Sequence, residues 1–275
     1  MGEFRLPSEI SEEEWPAPEV FTGEAKRLAD EAAAEGLVLR VMGGMAIHLH
    51  SLDYKDLWQR LGRLGKKVFT DIDFVAYGKH RIKLLKFFEK QGYQINQRLL
   101  YHYGKTRQIY YGPKIPMVEI FYDKLSMNHE IDYAGRLEKD FPTLPPAELL
   151  LQKLQMVHMN EKDIKDAVVL VRAHPVGPGD ENMINTEVLT GTLSGDWGFY
   201  HTSVENLGKI RDSLTRYDVL SDDDRKVVAE RLDLLLAGLE EAPKSLKWKM
   251  RAKLGTKKKW YNEVDDWDVI ENPAE

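Results

Sequence analysis

The sequence predicts an α+β fold: a mixed β-sheet flanked by helices, followed by a helical C-terminal part. Three observations predict it. Short apolar runs bounded by glycines alternate with helical patterns over the first part of the chain. Pro175, Gly177, Pro178 and Gly179 then cluster within residues 172–180, a composition that breaks regular structure. Beyond that break the apolar spacing is helical, and strands before helices argue for segregated layers.

Residues 1–18 read as an extended or loosely docked arm. Phe21 to Glu35 is rich in Ala, Glu and Lys and is closed by Gly36, the residue type that best ends a helix. Leu37 to Met42 is a short apolar run, hence a buried strand, broken by Gly43-Gly44 before a helix begins at Met45. The polar, basic stretch 53–68, with Lys55, Arg60, Arg63, Lys66 and Lys67, reads as an inserted loop or short helix. Val68 to Tyr77 is a second strand, and Lys79 to Gln91 an amphipathic helix stopped by Gly92. Tyr93 to Leu100 and Thr106 to Tyr111 read as a hairpin turning near Gly104-Lys105, and Pro116 to Tyr122 as another strand. Helices are expected over 145–159 and 161–171, then over 203–216, 222–240 and 244–254, with Ser221 as an N-cap. The domain layout is therefore an arm (1–18), a mixed domain (19–172), a helical region (181–260) and an acidic tail (261–275).

Composition narrows the function classes. The chain has 275 residues, no cysteine and a net charge of −6. Disulfides, thiolate metal sites and Cys nucleophiles are excluded. No apolar run is long enough to span a membrane. The acidic N-terminus lacks the basic-then-apolar order of a signal peptide, so a cytoplasmic location is expected. The negative charge argues against general coating of nucleic acid but leaves room for a local basic patch.

Asp71-Ile72-Asp73 carries the chemistry. Side chains alternate along a strand, so the two carboxylates share one face and Ile72 and Phe74 the other. Adjacent carboxylates repel, and burying them is costly without a cation. Mg²⁺ takes oxygen ligands, commonly one or two carboxylates plus substrate phosphates. Val68, Phe69, Phe74 and Val75 around the pair argue against an exposed loop. Glu119 interrupts the face shared by Met117 and Phe121. It is either a third carboxylate for a base or second metal, or an edge-strand residue pointing into water.

Gly43-Gly44 lies between a strand and a helix, where backbone N–H groups can approach a phosphate; a plain tight turn is the alternative. Lys153 falls on the apolar stripe with Leu149, Leu150 and Leu154, so it needs an anionic partner unless its amine snorkels to water. Asp163 sits at the edge of the next helix's apolar stripe and is the preferred partner. Residues 244–260, with Trp248 and Trp260 among many Lys and Arg, read as a nucleic-acid contact or, more simply, a solvated helix face. Arg98, Lys105 and Arg107 on the hairpin either face a polyanionic acceptor or are ordinary surface charge. His48 and His50 straddle a helix start, where phosphate contact is conceivable, but their spacing does not suit a joint metal site.

Taken together, Gly43-Gly44, Asp71-x-Asp73 and a later Glu119 resemble the nucleotidyltransferase (polymerase β-like) superfamily. Lys153 in Glu148-Leu-Leu-Leu-Gln-Lys, followed by Lys162-Asp163-x-x-Asp166, looks more narrowly like the AbiEii/MenT-type branch. The resemblance covers roughly residues 36–171. It implies Mg²⁺-dependent transfer of a nucleoside monophosphate from an NTP to an acceptor such as a tRNA, a protein or a small molecule. It further implies that Asp71, Asp73 and Glu119 bind metal, and that Gly43 and Gly44 hold the triphosphate. Lys153 would contact phosphates and Asp163 would support the site. A toxin–antitoxin or defence role, with an antitoxin-like partner, follows from the resemblance alone. Two departures stand out: the Gly44-to-Asp71 interval is longer than usual, and Asn160 stands where the branch often has Arg. A non-catalytic nucleotide-binding module on the same fold is the alternative. An unrelated domain with a structural cation site is the third reading, in which Asp71, Asp73 and Glu119 would not converge.

Overall fold

The computed structural model describes residues 6–62 and 67–264. Arg63 and Lys66 of the inserted stretch, the first five residues of the arm and residues 265–275 of the acidic tail lie outside the described residues. In chain order the main elements begin with α1 (Pro18–Ala34), β1 (Leu39–Val41), α2 (Gly43–His50), α3 (Lys55–Arg60), β2 (Ile72–Ala76) and α4 (Arg81–Lys90). Then come β3 (Gln94–Ile95), α5 (Gln97–Tyr103), β4 (Arg107–Tyr111), β5 (Met117–Tyr122), β6 (Lys124–Ser126) and β7 (Glu130–Asp132). The chain continues through α6 (Pro146–Leu154), α7 (Glu161–Ala173), β8 (Val176–Gly177) and β9 (Ile184–Asn185). It closes with α8 (Thr186–Gly195), α9 (Trp197–Ser213), α10 (Asp222–Glu241) and α11 (Leu246–Leu254).

Five strands form the main sheet in the order β1-β2-β5-β4-β3. β2 and β5 run parallel and the other neighbours antiparallel, so the sheet is mixed and helices flank it. One face carries Ile72, Phe74, Tyr110, Val118 and Ile120, all buried. Phe88 of α4 covers it, stacked on Tyr110 at 4.7 Å and edge-on to Phe74 at 6.4 Å. By strand alternation the other face carries Asp73, Arg107 and Glu119. Polar groups on that face are what the fold leaves for chemistry.

β5 lies at the centre of the sheet, between β2 and β4. Glu119 is therefore buried, and its reading as an edge-strand residue in water is overturned. The expected hairpin also needs correction. β3 and β4 do pair, but 97–103 between them is a helix. Asn96 caps it, its side chain accepting from Leu99 N, and Leu99 is buried beneath it.

The helix expected over 145–159 stops at Leu154. Side chains from elsewhere satisfy the freed backbone groups: Asn206 donates to the carbonyls of Leu154 and Met156, and Asn128 accepts from Val157 N. The inserted stretch is not a surface excursion over its described part, because Leu57, Trp58 and Leu61 are buried, with Trp58 against His48 and Phe69. The arm docks through Trp15, whose indole N–H donates to the Phe69 carbonyl at 2.9 Å.

Beyond the 172–180 break, α8 is a helix the sequence pattern missed, and α9 begins at Trp197 with Asp196 as its cap. Leu189, Leu193, Phe199, Leu207 and Ile210 of these helices join one continuous apolar core with Leu150 and Leu154 of α6. Among the described residues no helix is long and apolar enough to cross a membrane.

Candidate active site

A cavity of about 720 Å³ opens beside the polar face of the sheet. Gly43, Gly44, Asp71, Asp73, Glu119, Lys153 and Asp163 all line it. Residues from five separate segments thus meet at one place.

The turn from β1 into α2 forms one wall. Gly43 has φ +67°, and a Cβ built there would lie 2.8 Å from Asp73 Oδ2. Positive φ and the close carboxylate each demand glycine. Its N–H donates to Gln152 Oε1 at 2.9 Å, so this donor, expected for a phosphate, is engaged by the protein. Gln152 in turn donates through Nε2 to the Tyr133 hydroxyl at 3.0 Å. Neither Gln152 nor Tyr133 was singled out by sequence.

Asp71 stands one residue ahead of β2 rather than within it, and Thr70 Oγ1 donates to its carboxylate at 3.1 Å. Asp73 lies on β2 beside Glu119, its register partner on β5. Burial pushes the Asp73 carboxyl up to about 7, and the neighbouring Asp71 charge pushes the same way. Arg107, Lys153 and Lys162 pull it back without cancelling the rise. The pair concentrates negative charge on the cavity wall, with both side chains half-buried.

The remaining carboxylates are compensated. Glu119 is ion-paired with Arg107, whose guanidinium also sits over the Phe121 ring, 5.2 Å from its centroid. Lys153 reaches Asp163 at 2.7 Å and the fully buried Asp166 at 3.0 Å. The predicted Lys153–Asp163 contact is present, and Asp166 joins it. Asn160 caps α7 by accepting from Asp163 N, which fixes that carboxylate's position. Lys162 lines the cavity too; it belonged to the quoted motif but was given no role.

Other candidates lie elsewhere. His48 and His50 occupy the last turn of α2, not its phosphate-facing start; His50 bonds Thr143 and the Leu144 carbonyl. Arg98 is exposed on α5, and Lys105 and Arg107 line a second groove of about 480 Å³. Trp248 packs edge-on against Tyr200 of α9, and Trp260 donates to Thr202. These two rings of the basic segment are engaged by the protein itself. Among the described residues no three His, Asp or Glu side chains are grouped closely enough to hold a metal ion by themselves.

No family model matches the chain, and no curated protein matches it. Solved structures that are similar to it include the antibiotic-resistance factor ANT(2'')-Ia (17% identity, TM-score 0.34, covering 55% of this chain and 82% of that one). Another is an antigenic nucleotidyltransferase-like protein from Paracoccidioides brasiliensis (14% identity, TM-score 0.39, covering 84% and 96%). A third is a tRNA-processing enzyme in an apo form (16% identity, TM-score 0.30, covering 94% and 67%). At such similarity, function has to be read from the site residues.

Proposed function

We propose that the chain is a nucleotidyltransferase of the polymerase β-like kind, moving a nucleoside monophosphate from an NTP to an acceptor hydroxyl. One observation carries the reading: seven residues nominated by sequence line a single cavity, and Asp71 and Asp73 form its uncompensated acidic pair. The AbiEii/MenT-type placement rests on the Lys153 and Lys162-Asp163-x-x-Asp166 motifs, whose lysine and two aspartates are in contact.

The donor set fits Mg²⁺. Two carboxylate side chains, one held up near 7 by burial and its neighbour, are groups that a divalent cation would relieve. Asp71 and Asp73 would hold it, with substrate phosphates and water completing a shell that the protein alone does not provide. When bound, Mg²⁺ supplies charge neutralisation for the triphosphate and for the departing pyrophosphate.

The protein's own part is positioning, as expected for phosphoryl-type transfer. The Gln152–Gly43 bond fixes the turn that presents Gly44 and the α2 N-terminus to the cavity. Lys162 faces the cavity as a counter-charge for phosphate. Lys153 holds Asp163 and Asp166, and so braces α6 against α7. Glu119 is the third carboxylate, ion-paired with Arg107. The acceptor hydroxyl belongs to a tRNA, a protein or a small molecule, and a toxin–antitoxin or defence setting accords with any of these.

The Arg107–Glu119 pair favours one second reading, a nucleotide-binding module without turnover. A glutamate engaged by arginine is a poor base. Calorimetric titration of each NTP, with and without Mg²⁺, into wild type and Asp71→Ala/Asp73→Ala tests the site. Mg²⁺-dependent binding that vanishes in the variant supports it, and equal binding by the variant removes its basis. Incorporation of α-labelled nucleotide into an acceptor then separates enzyme from module.

A further inference from the structure

Residues 258–264 leave α11 as a strap and run to the rim of the cavity. Arg251 donates to the Lys258 carbonyl at 2.7 Å. The Trp260 indole N–H donates to Thr202 Oγ1 at 3.0 Å, and its ring meets His201 edge-on at 5.2 Å. The Trp260 carbonyl packs so closely on Gly198 that no side chain fits there. Asn262 N donates to the Asn128 carbonyl at 2.9 Å, and the Asn128 side chain returns a bond to the Asn262 carbonyl at 2.9 Å. A segment so anchored is a built wall rather than a trailing end. Between the two anchors, Tyr261 lines the cavity that holds Asp71 and Asp73.

Apolar side chains line the same cavity. Asn128 also accepts from Val157 N, which ties the strap to the Met127 and Met156 regions, and both methionines line the same cavity. Thioethers and a phenol ring offer polarisable, flat contacts suited to an aromatic ligand. They offer nothing to a triphosphate. The cavity therefore combines a charged region at Asp71, Asp73 and Lys162 with Met127, Met156 and the Tyr261 ring, and Glu263 of the strap lines it as well.

We propose that Tyr261 is the nucleobase platform of this site, and that the strap is a specificity-determining part of it. The inference rests on the nucleotidyltransferase reading above. A purine or pyrimidine ring would stack on Tyr261 while its phosphates reach the carboxylate end. Lys259 Nζ lies over the Tyr261 ring, 5.2 Å from its centroid, and the Trp260 ring meets it edge-on at 5.2 Å.

The test is calorimetric titration of Mg²⁺ with each of the four NTPs, and of Mg²⁺ with inorganic triphosphate, into wild type, Tyr261→Ala and Tyr261→Phe. Tyr261→Ala is expected to weaken every NTP about tenfold, the scale of one base–aromatic stack, and to compress the differences between bases. Tyr261→Phe should bind within about twofold of wild type, since stacking needs only the ring. Inorganic triphosphate should bind all three proteins equally. NTP binding unchanged in Tyr261→Ala overturns the assignment, as does a parallel loss of triphosphate, which would mean the wall had merely collapsed. If wild type binds no NTP at all, the parent reading falls and takes this one with it. If wild type binds and Tyr261→Ala matches it, only the platform falls.

Discussion

Replacing Asp73 with Asn should make the metal-free protein more stable, and increasingly so as pH rises. The Asp73 carboxyl is raised from 3.8 to about 7 in the folded state. A group whose folded value lies above its unfolded value binds its proton more tightly when folded. Its stabilisation is complete below the unfolded value and is lost as pH climbs through the folded one, here between 3.8 and about 7. At about 1.4 kcal/mol per unit, the penalty on the wild type at pH 8 is at most about 4 kcal/mol. Asp73 is only half-buried, so solvent screening brings the expected measured gain down to about 2 kcal/mol. Urea unfolding of wild type and Asp73→Asn from pH 5 to 8.5, with a chelator present, reads it directly. The difference between the proteins should grow by about 2 kcal/mol across that range. A difference that does not change with pH would refute the claim that Asp73 is desolvated against Asp71. Adding Mg²⁺ and NTP should reverse the ranking, since only the wild type keeps both carboxylates.

Two further substitutions probe the frame of the site. Gly43→Ala puts a Cβ at positive φ and 2.8 Å from Asp73 Oδ2; chemical unfolding should show a loss of about 1–3 kcal/mol, and Mg²⁺–NTP binding should disappear with it. Lys153→Met leaves the buried Asp163 and Asp166 without the lysine's charge; a loss of about 3–5 kcal/mol is expected, and a change under about 1 kcal/mol would show that the pair is solvated.

The sequence exposed those parts of the site that follow from local periodicity. Alternation put Asp71 and Asp73 on one face and marked Glu119 as the charged break in an apolar run. Helical spacing put Lys153 on the buried stripe, where it lies. What stayed hidden depends on contacts between distant segments. Gln152 looks like an ordinary helix glutamine until Gly43 arrives, 109 residues away in sequence. Tyr261 acquires its place only when Asn262 pairs with Asn128. The missed elements have local causes as well. Thr186–Gly195 is full of Thr and Gly, weak helix formers, so the Asn185 cap and the burial of Leu189 and Leu193 decide its form. Tyr93 to Leu100 mixes apolar Tyr93, Ile95, Leu99 and Leu100 with four polar residues, too short a pattern to separate strand from helix, and the Asn96 cap settles it.

Charge accounting across the cavity is what supports metal dependence in the proposed activity. Glu119 is balanced by Arg107, and Lys153 faces two aspartates, so neither offers spare positive charge to a ligand. Among the described residues lining the cavity, Lys162 is the one other lysine, and it stands against Asp71 and Asp73. A free triphosphate entering this space would meet net negative charge at short range and in a partly desolvated setting, where repulsion is least screened. Asp71 and Asp73 would hold a divalent cation carried in with the nucleotide, and its charge would reverse the sign of that encounter. The same accounting places the distinction between enzyme and binding module at Arg107. While Arg107 holds Glu119, that carboxylate is a poor base, and the two readings part on whether it is released.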